Sequence, residues 1–348
     1  MRRILYAIQA TGNGHLNRAM TIIPELKKTA DVDILISGDQ AELHLPFEIA
    51  YRLHGMTYIY NSTGGINYLK SILRINFFRF IRDIFTLPIE DYDLVISDFE
   101  PISMWAAKLK EIPSATLCNQ TVIMEKGISR PKSFNPLAKF ILKYLVPVGH
   151  KFGYHYIKFR KNIFTPLIRS EIRNSEISDL GHYTIYLPSY SDENLIKFFK
   201  EFSGTVWQVF SKNCQFEYRS SNVTIIPVNK EKFTQSIVSC RGVICNSGFE
   251  TTAEALFLGK KLLVIPQKSQ YEQLYNTHVL NSMGIQSVKE LNKKSKTIIE
   301  KWLESEKIVK IEFPDVTQEI IESLMNIRIV SKSIEKLPEY RPELLVRS

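Results

Sequence analysis

The 348-residue sequence predicts an α/β protein made of two doubly wound parallel-sheet domains that face each other across a cleft. Three observations predict it. Short β-rich apolar runs alternate with stretches of helical periodicity along nearly the whole chain. The alternation begins afresh near residue 182. A composition of 44% hydrophobic and 23% charged residues is that of soluble globular domains, which excludes disordered, collagen-like and rod-like chains.

In the first half, residues 4–9, 32–37, 92–97 and 114–119 read as buried strands; in the second, residues 182–189, 204–211, 222–228, 242–247 and 261–266 do so, with helices between. This places an N-terminal domain at 1–175, a seam at 170–182, a C-terminal domain at 182–328 and a charged, proline-punctuated tail at 330–348. Ligands of such sheets lie at the carboxyl ends of the strands, so the cleft is the expected site. The most apolar candidate for a membrane span, 137–148, is broken by Lys139, Lys143 and Pro147. The basic start MRRILYAIQATG ends its apolar run too soon for a signal peptide, and a cytoplasmic protein is expected. Cys118, Cys214, Cys240 and Cys245 show no CxxC or metal spacing and read as reduced thiols.

The first strand runs into Ala10-Thr11-Gly12-Asn13-Gly14-His15 and then a helix. Gly12 and Gly14 permit a tight turn and close approach, and the helix offers free N–H groups. A third glycine of the dinucleotide fingerprint would fall at Asn17, so that reading is excluded. His15 either faces the cleft or caps the helix. In the second half, Ser247, Gly248, Thr251 and Thr252 stand at a helix start, where small side chains and the helix dipole suit a diphosphate. Glu254 lies one turn in, placed to accept hydrogen bonds from ribose hydroxyls or to form a capping box with Thr251. A capping box leaves the later pair Glu272-Gln273 unaccounted for.

The span NSGFETTAEALFLGKKLLVIPQKSQYEQLYN (246–276), together with TGNGH near the N-terminus, resembles the GT-B fold glycosyltransferases. It is similar in particular to their inverting branch, which includes the peptidoglycan N-acetylglucosaminyltransferase that forms lipid II. ISDFEP (96–101), YLPSYSDE (186–193) and CNSGFET (245–251) bring it closer still to a bacterial and archaeal group of glycosyltransferases. The resemblance covers about residues 1–328 and implies two Rossmann-like domains with a nucleotide sugar, usually a UDP-sugar, bound in the second. Carried over by position, it implies that Ser247, Gly248 and Thr251 approach the diphosphate, that Glu254 holds the ribose, and that Glu272 and Gln273 contact the transferred sugar. It further places Ser189 and Ser191 near phosphate, Val228 beside the nucleobase, and His15 as general base. The loop at 187–191 lacks the family's glycine.

Retaining relatives carry a second glutamate eight residues before the ribose glutamate; here that position is Asn246, which with His15 favours inversion. An ordinary histidine titrates near pH 6.5 and can act as a base at neutral pH. Two DxD pairs, Asp31/Asp33 and Asp91/Asp93, start strands and therefore lie away from the cleft, so no metal and no other cofactor is expected. Gly12, Asn13 and Gly14 fall on the acceptor side. Asp98 and Glu100, and likewise Asn119 and Gln120, follow strand ends, where they either face an acceptor hydroxyl or cap loops.

The net charge of +9 is local: residues 126–173 hold 11 basic residues against one acid, Glu171. With the aromatics Phe134, Phe140, Tyr144, Phe152, Tyr154, Tyr156, Phe159 and Phe164 among them, and with the amphipathic stretch 68–85, this points to an anionic membrane surface as partner. In that stretch Leu69, Ile72, Leu73, Phe77, Phe80, Ile81 and Ile84 form a stripe expected to face the core, leaving Ile75, Phe78 and Phe85 off it. No nucleic-acid recognition motif is present. Two other readings of the whole chain are a nucleotide-sugar 2-epimerase and a non-catalytic nucleotide-sugar-binding protein.

Overall fold

A computed structural model of the chain describes residues 1–10, 13–38, 45–55, 76–123, 125, 128–131, 136–147 and 149–328. Gly12, residues 68–75 and the tail at 330–348 lie outside the described residues. The first sheet holds β1 (Arg2–Gln9), β2 (Ala30–Ser37), β3 (Tyr51–Leu53), β4 (Leu94–Asp98), β5 (Ser114–Leu117), β6 (His150–Tyr154) and β7 (Ile163–Phe164). Their order is β3-β2-β1-β4-β5-β6-β7, parallel throughout. The second sheet holds β8 (His182–Tyr186), β9 (Val206–Ser211), β10 (Tyr218–Ser220), β11 (Val223–Pro227), β12 (Gly242–Cys245), β13 (Lys261–Val264) and β14 (Gln286–Ser287). Its order is β10-β11-β9-β8-β12-β13-β14, with β10 antiparallel to β11.

Such sheets need apolar residues on both faces, because helices cover both. β1 shows it: Ile4, Tyr6 and Ile8 enter one core, Leu5 and Ala7 the other. The helices are α1 (Asn13–Lys27), α2 (Phe77–Thr86), α3 (Pro101–Leu109), α4 (Asn119–Ile123), α5 (Pro136–Tyr144), α6 (Ser170–Arg173), α7 (Asp192–Phe199), α8 (Lys230–Ser239), α9 (Phe249–Phe257), α10 (Tyr271–Ser282), α11 (Lys293–Glu304) and α12 (Thr317–Met325). In each sheet the chain turns back on itself between two neighbouring strands, β1 and β4 in the first, β8 and β12 in the second. Connections there leave in opposite directions and open a crevice at the carboxyl ends.

The two halves are packed together. α12 returns to α1, where Arg2 Nη1 and Nη2 donate to Met325 O and Ile327 O at 2.8 and 2.6 Å. Tyr156 packs against Phe249 with the rings tilted and their centroids 4.7 Å apart, and its hydroxyl lies 2.6 Å from Thr252 Oγ1. One apolar core runs from the first sheet into the second through these contacts.

The nine expected strands are all present. β3, β6, β7, β10 and β14 escape the sequence because none of them holds three apolar residues in a row. Two of these, β6 and β7, correct the reading of residues 126–173. The last two residues of β6 and both residues of β7 are buried, which takes Tyr154 and Phe164 inside, and Tyr156 follows them into the core. Several of the cations are consumed locally: Lys158 pairs with Glu319, Arg160 with Glu125, and Arg173 donates to Phe313 O. Phe77, expected on the core stripe, is instead 64% exposed, because α2 packs through Asp83 and Ile84. Among the described residues no helix is long and apolar enough to cross a membrane. All four cysteines are free, with Cys118, Cys240 and Cys245 buried.

Candidate active site

Both switch points open onto one cavity of about 330 Å³. The end of β4 shapes its first wall. Phe99 adopts a left-handed backbone, φ 60°, at a strain of about 1–3 kcal/mol, which presents its ring to the cavity. The kink turns the residues on either side inward. Glu100 becomes the N-cap of α3, accepting from Ile102 N and Ser103 N at 2.9 and 2.7 Å. It is fully buried and away from the cavity, so it serves as a cap rather than an acceptor contact.

Asp98 lies beneath the first turns of α1. Its Oδ1 is 2.8 Å from His15 Nδ1, and Arg18, three residues along the same helix face, donates Nε to Oδ2 at 2.9 Å and Nη2 to Oδ1 at 2.8 Å. Asp98 therefore does not face an acceptor; it is the buried partner of His15 and Arg18. Burial acts to raise its carboxyl, but the Arg18 and His15 charges and hydrogen bonds outweigh it and hold the group below the usual aspartate range. Arg18 Nη2 also lies 2.8 Å from His15 Nδ1. A guanidinium only donates and a carboxylate only accepts, so Nδ1 can serve one of them at a time. We assign the proton to Nδ1, directed at Asp98, which leaves the Nε2 lone pair available.

Opposite stands the N-terminus of α9. Gly248 is its N-cap, without a side-chain cap, and a Cβ built there would meet no atom within 4 Å. Free N–H groups thus face open space at the positive end of a helix dipole. Gly248, Thr251 and Glu254 line the cavity with Gln273 and Val228. The Val228 N–H is taken by Ser211 O, at 3.0 Å. Thr251 and Glu254 make no capping box. Glu254 is held instead by Arg169, whose Nε and Nη2 donate to Oε1 and Oε2 at 2.6 and 2.9 Å.

Glu272 reaches the first domain. Its Oε1 accepts from Asn119 Nδ2 at 2.6 Å and its Oε2 from Gln120 Nε2 at 2.9 Å. Burial pushes its carboxyl up, partly countered by His15. Gln273 Oε1 accepts from Gln267 N at 2.8 Å, fixing the loop before α10. Asn13 and Gly14 line the cavity beside His15.

Four expected donor residues stay outside the lining. Ser247 is buried, donating Oγ to Gln273 O, because it ties the α9 and α10 starts together. Thr252 is buried and bonds back to Gly248 O, as a mid-turn threonine does. Ser191 caps α7 by accepting from Asn194 N, and neither it nor Ser189 borders the cavity. Sequence reasoning missed Arg18, Glu250, Arg169, Tyr186 and Phe233, all of which line it. Arg18 could have been found from its i,i+3 spacing to His15. Arg169 gave no signal, since its partner is 85 residues away.

A family model described as glycosyl transferase family 1 matches residues 2–306. No curated protein sequence matches the chain. Among solved structures, MurG of Acinetobacter baumannii is 14% identical, with 93% of this chain and 99% of that chain covered and a TM-score of 0.54. Arabidopsis thaliana UGT89C1 complexed with UDP-L-rhamnose is 15% identical, with 93% and 94% covered and a TM-score of 0.55. A UDP-N-acetylglucosamine 2-epimerase is 12% identical, with 93% and 96% covered and a TM-score of 0.50. At these identities the likeness is one of fold, the GT-B arrangement of two Rossmann-like domains.

Proposed function

The chain belongs to glycosyl transferase family 1 and is a glycosyltransferase of the GT-B fold; from this premise we propose that it moves a sugar from a UDP-sugar to an acceptor hydroxyl with inversion, using His15 as the base. The observation that carries the reading is the placement of the His15–Asp98 pair across one cavity from the open N-terminus of α9.

In this reaction the acceptor hydroxyl gives its proton to His15 Nε2 as its oxygen attacks the anomeric carbon. The bond from that carbon to the diphosphate oxygen breaks, and the departing charge meets the N–H groups at Gly248 and Thr251. Asp98 orients the ring and stabilises the imidazolium. Glu272 and Gln273 face the transferred sugar, and Val228 borders the nucleobase. Glu254 keeps its ribose role despite Arg169. A carboxylate offers about four acceptor positions and Arg169 uses two, leaving two for the ribose hydroxyls. The reading assigns no role to a metal: Asp33 accepts from Tyr92 Oη at 2.7 Å, and Arg3 pairs with Asp31 and Asp33 at the opposite ends of the strands.

A lipid-like acceptor on an anionic membrane is part of this proposal, supported by a narrower surface than the basic segment as a whole. α2 exposes Phe78 and Phe85 beside Arg79 and Arg82; α5 exposes Phe140 and Tyr144 while its Ile141 and Leu142 line the cavity. Cosedimentation with anionic but not neutral vesicles is expected, and indifference to lipid charge removes this part. For the donor, a thermal-shift panel of nucleotide sugars should single out UDP-sugars, because ligands that bind only the folded state raise its stability. The anomeric configuration of the product then decides stereochemistry. Retention contradicts the His15 mechanism, and sugar isomerisation without acceptor would replace transfer by epimerisation.

A further inference from the structure

Arg18 stands where the transfer chemistry needs no cation. It is 5% exposed, holds Asp98 through two hydrogen bonds, and places Nη2 beside His15 Nδ1. Its remaining nitrogen, Nη1, pairs with Glu250, which comes from the other domain in the first turn of α9. The room for that carboxylate is made by Gly14, the residue before His15: a Cβ there would stand 2.5 Å from Glu250 Oε2. A glycine, an arginine and a glutamate thus join the donor helix to the base-bearing turn of α1.

We propose that Arg18 and Glu250 form a charge-compensated latch that couples the seating of the donor helix α9 to the capacity of His15 to accept a proton. The inference rests on the reading of His15 as base. A guanidinium next to an imidazole opposes its protonation, and Asp98, shared between the two, cannot neutralise both. The carboxylate of Glu250 supplies the missing charge, and it does so only when α9 lies against α1. Arg18 is therefore a positioning residue, and Glu250 reports the arrival of the second domain.

The charged and titratable groups around His15 fit this division. Asp98 from β4 and Arg18 from its own helix touch it, and Glu272 from α10 faces it across the cavity. Cys118, Tyr6 and Tyr154 crowd Asp98 and Arg18, and all three are buried; burial pushes the Cys118 thiol up to about 12 and both phenols upward, so they stay neutral. Arg18 itself, which burial would weaken, is kept a cation by Asp98 and Glu250.

The test is NMR titration of histidine-labelled protein, with the His15 signal identified among seven histidines by its loss in His15→Asn. In Glu250→Gln the His15 midpoint should move to lower pH, and in Arg18→Met to higher pH, each by about half a pH unit or more. Glu250→Asp, which keeps the charge, should return it toward wild type. Midpoints that stay fixed in Glu250→Gln, or that move the same way in both variants, overturn the latch. Glu250 is at the cavity edge, so Glu250→Gln and Glu250→Asp carry the test alone if Arg18→Met fails to fold. The readout requires no turnover: wild-type activity in His15→Asn would remove the base while leaving the latch measurable.

Discussion

Replacing Asp98 with asparagine tests the catalytic pair and the fold together. Asp98 is fully buried and takes three charge-assisted contacts, two from Arg18 and one from His15. An amide keeps the volume and removes the charge, leaving Arg18 with Glu250 alone. Breaking a buried pair by neutralising one partner costs about 3–5 kcal/mol, and Glu250 places the expectation near ~3 kcal/mol. The loss carries a pH signature. The folded-state pKa of Asp98 is lowered, so its contribution is present above the unfolded carboxyl value and is lost as pH falls through the folded one. The stability gap between wild type and Asp98→Asn, measured by urea unfolding, should be near its full size at pH 7 and shrink below about pH 4. Turnover should fall by about 10²–10⁴-fold, because a neutral amide no longer stabilises the imidazolium and its NH2 can donate to Nδ1, which puts the proton on Nε2. A gap under ~1 kcal/mol at pH 7, or turnover within a few-fold of wild type, would show that Asp98 is not the buried partner described.

Other outcomes follow from the same contacts. Gly14→Ala should cost under ~1 kcal/mol in stability, because the flexible end of Glu250 can yield, yet it should lower kcat by displacing that carboxylate; unchanged kinetics would mean that Glu250 does not seat there. Glu254→Gln should weaken UDP binding by about tenfold or more in calorimetry, since it removes ribose acceptors and strands the Arg169 charge; unchanged affinity would remove Glu254 from the site. Glu100→Ala should lower stability by about 1–2 kcal/mol through loss of the α3 cap while leaving the acceptor KM unaltered, and a raised KM would restore an acceptor role. Chelation with EDTA should leave transfer unaffected, and loss of activity restored by a divalent cation would require a metal in the reaction.

The sheets were legible where a strand is a nearly unbroken apolar run buried on both faces, as in β1 and β12. The short edge strands β3, β7 and β14 were not, since two or three residues carry no period. At the site, His15, Gly248, Thr251, Glu254, Glu272 and Gln273 were reachable from local motifs, which place a residue relative to its own strand or helix. What each residue meets across the cleft was not. Asp98 and Glu100 look alike in sequence, two residues apart at one strand end, yet the left-handed Phe99 between them sends one under His15 and the other onto a helix cap. Asn119 and Gln120 read as either acceptor contacts or loop caps; they line the cavity and clasp Glu272 from the other domain. Basic and aromatic residues at 126–173 suggested one surface, but the end of β6 and the whole of β7 take Tyr154 and Phe164 into the core.

The most direct measurement is the turnover of His15→Ala with a UDP-sugar that stabilises the wild-type protein, taken beside the UDP affinity of the same variant. Transfer should drop by about 10²–10⁴-fold while UDP binding persists, because His15 meets the acceptor and α9 the diphosphate. Wild-type turnover would contradict His15 as the base of this glycosyltransferase.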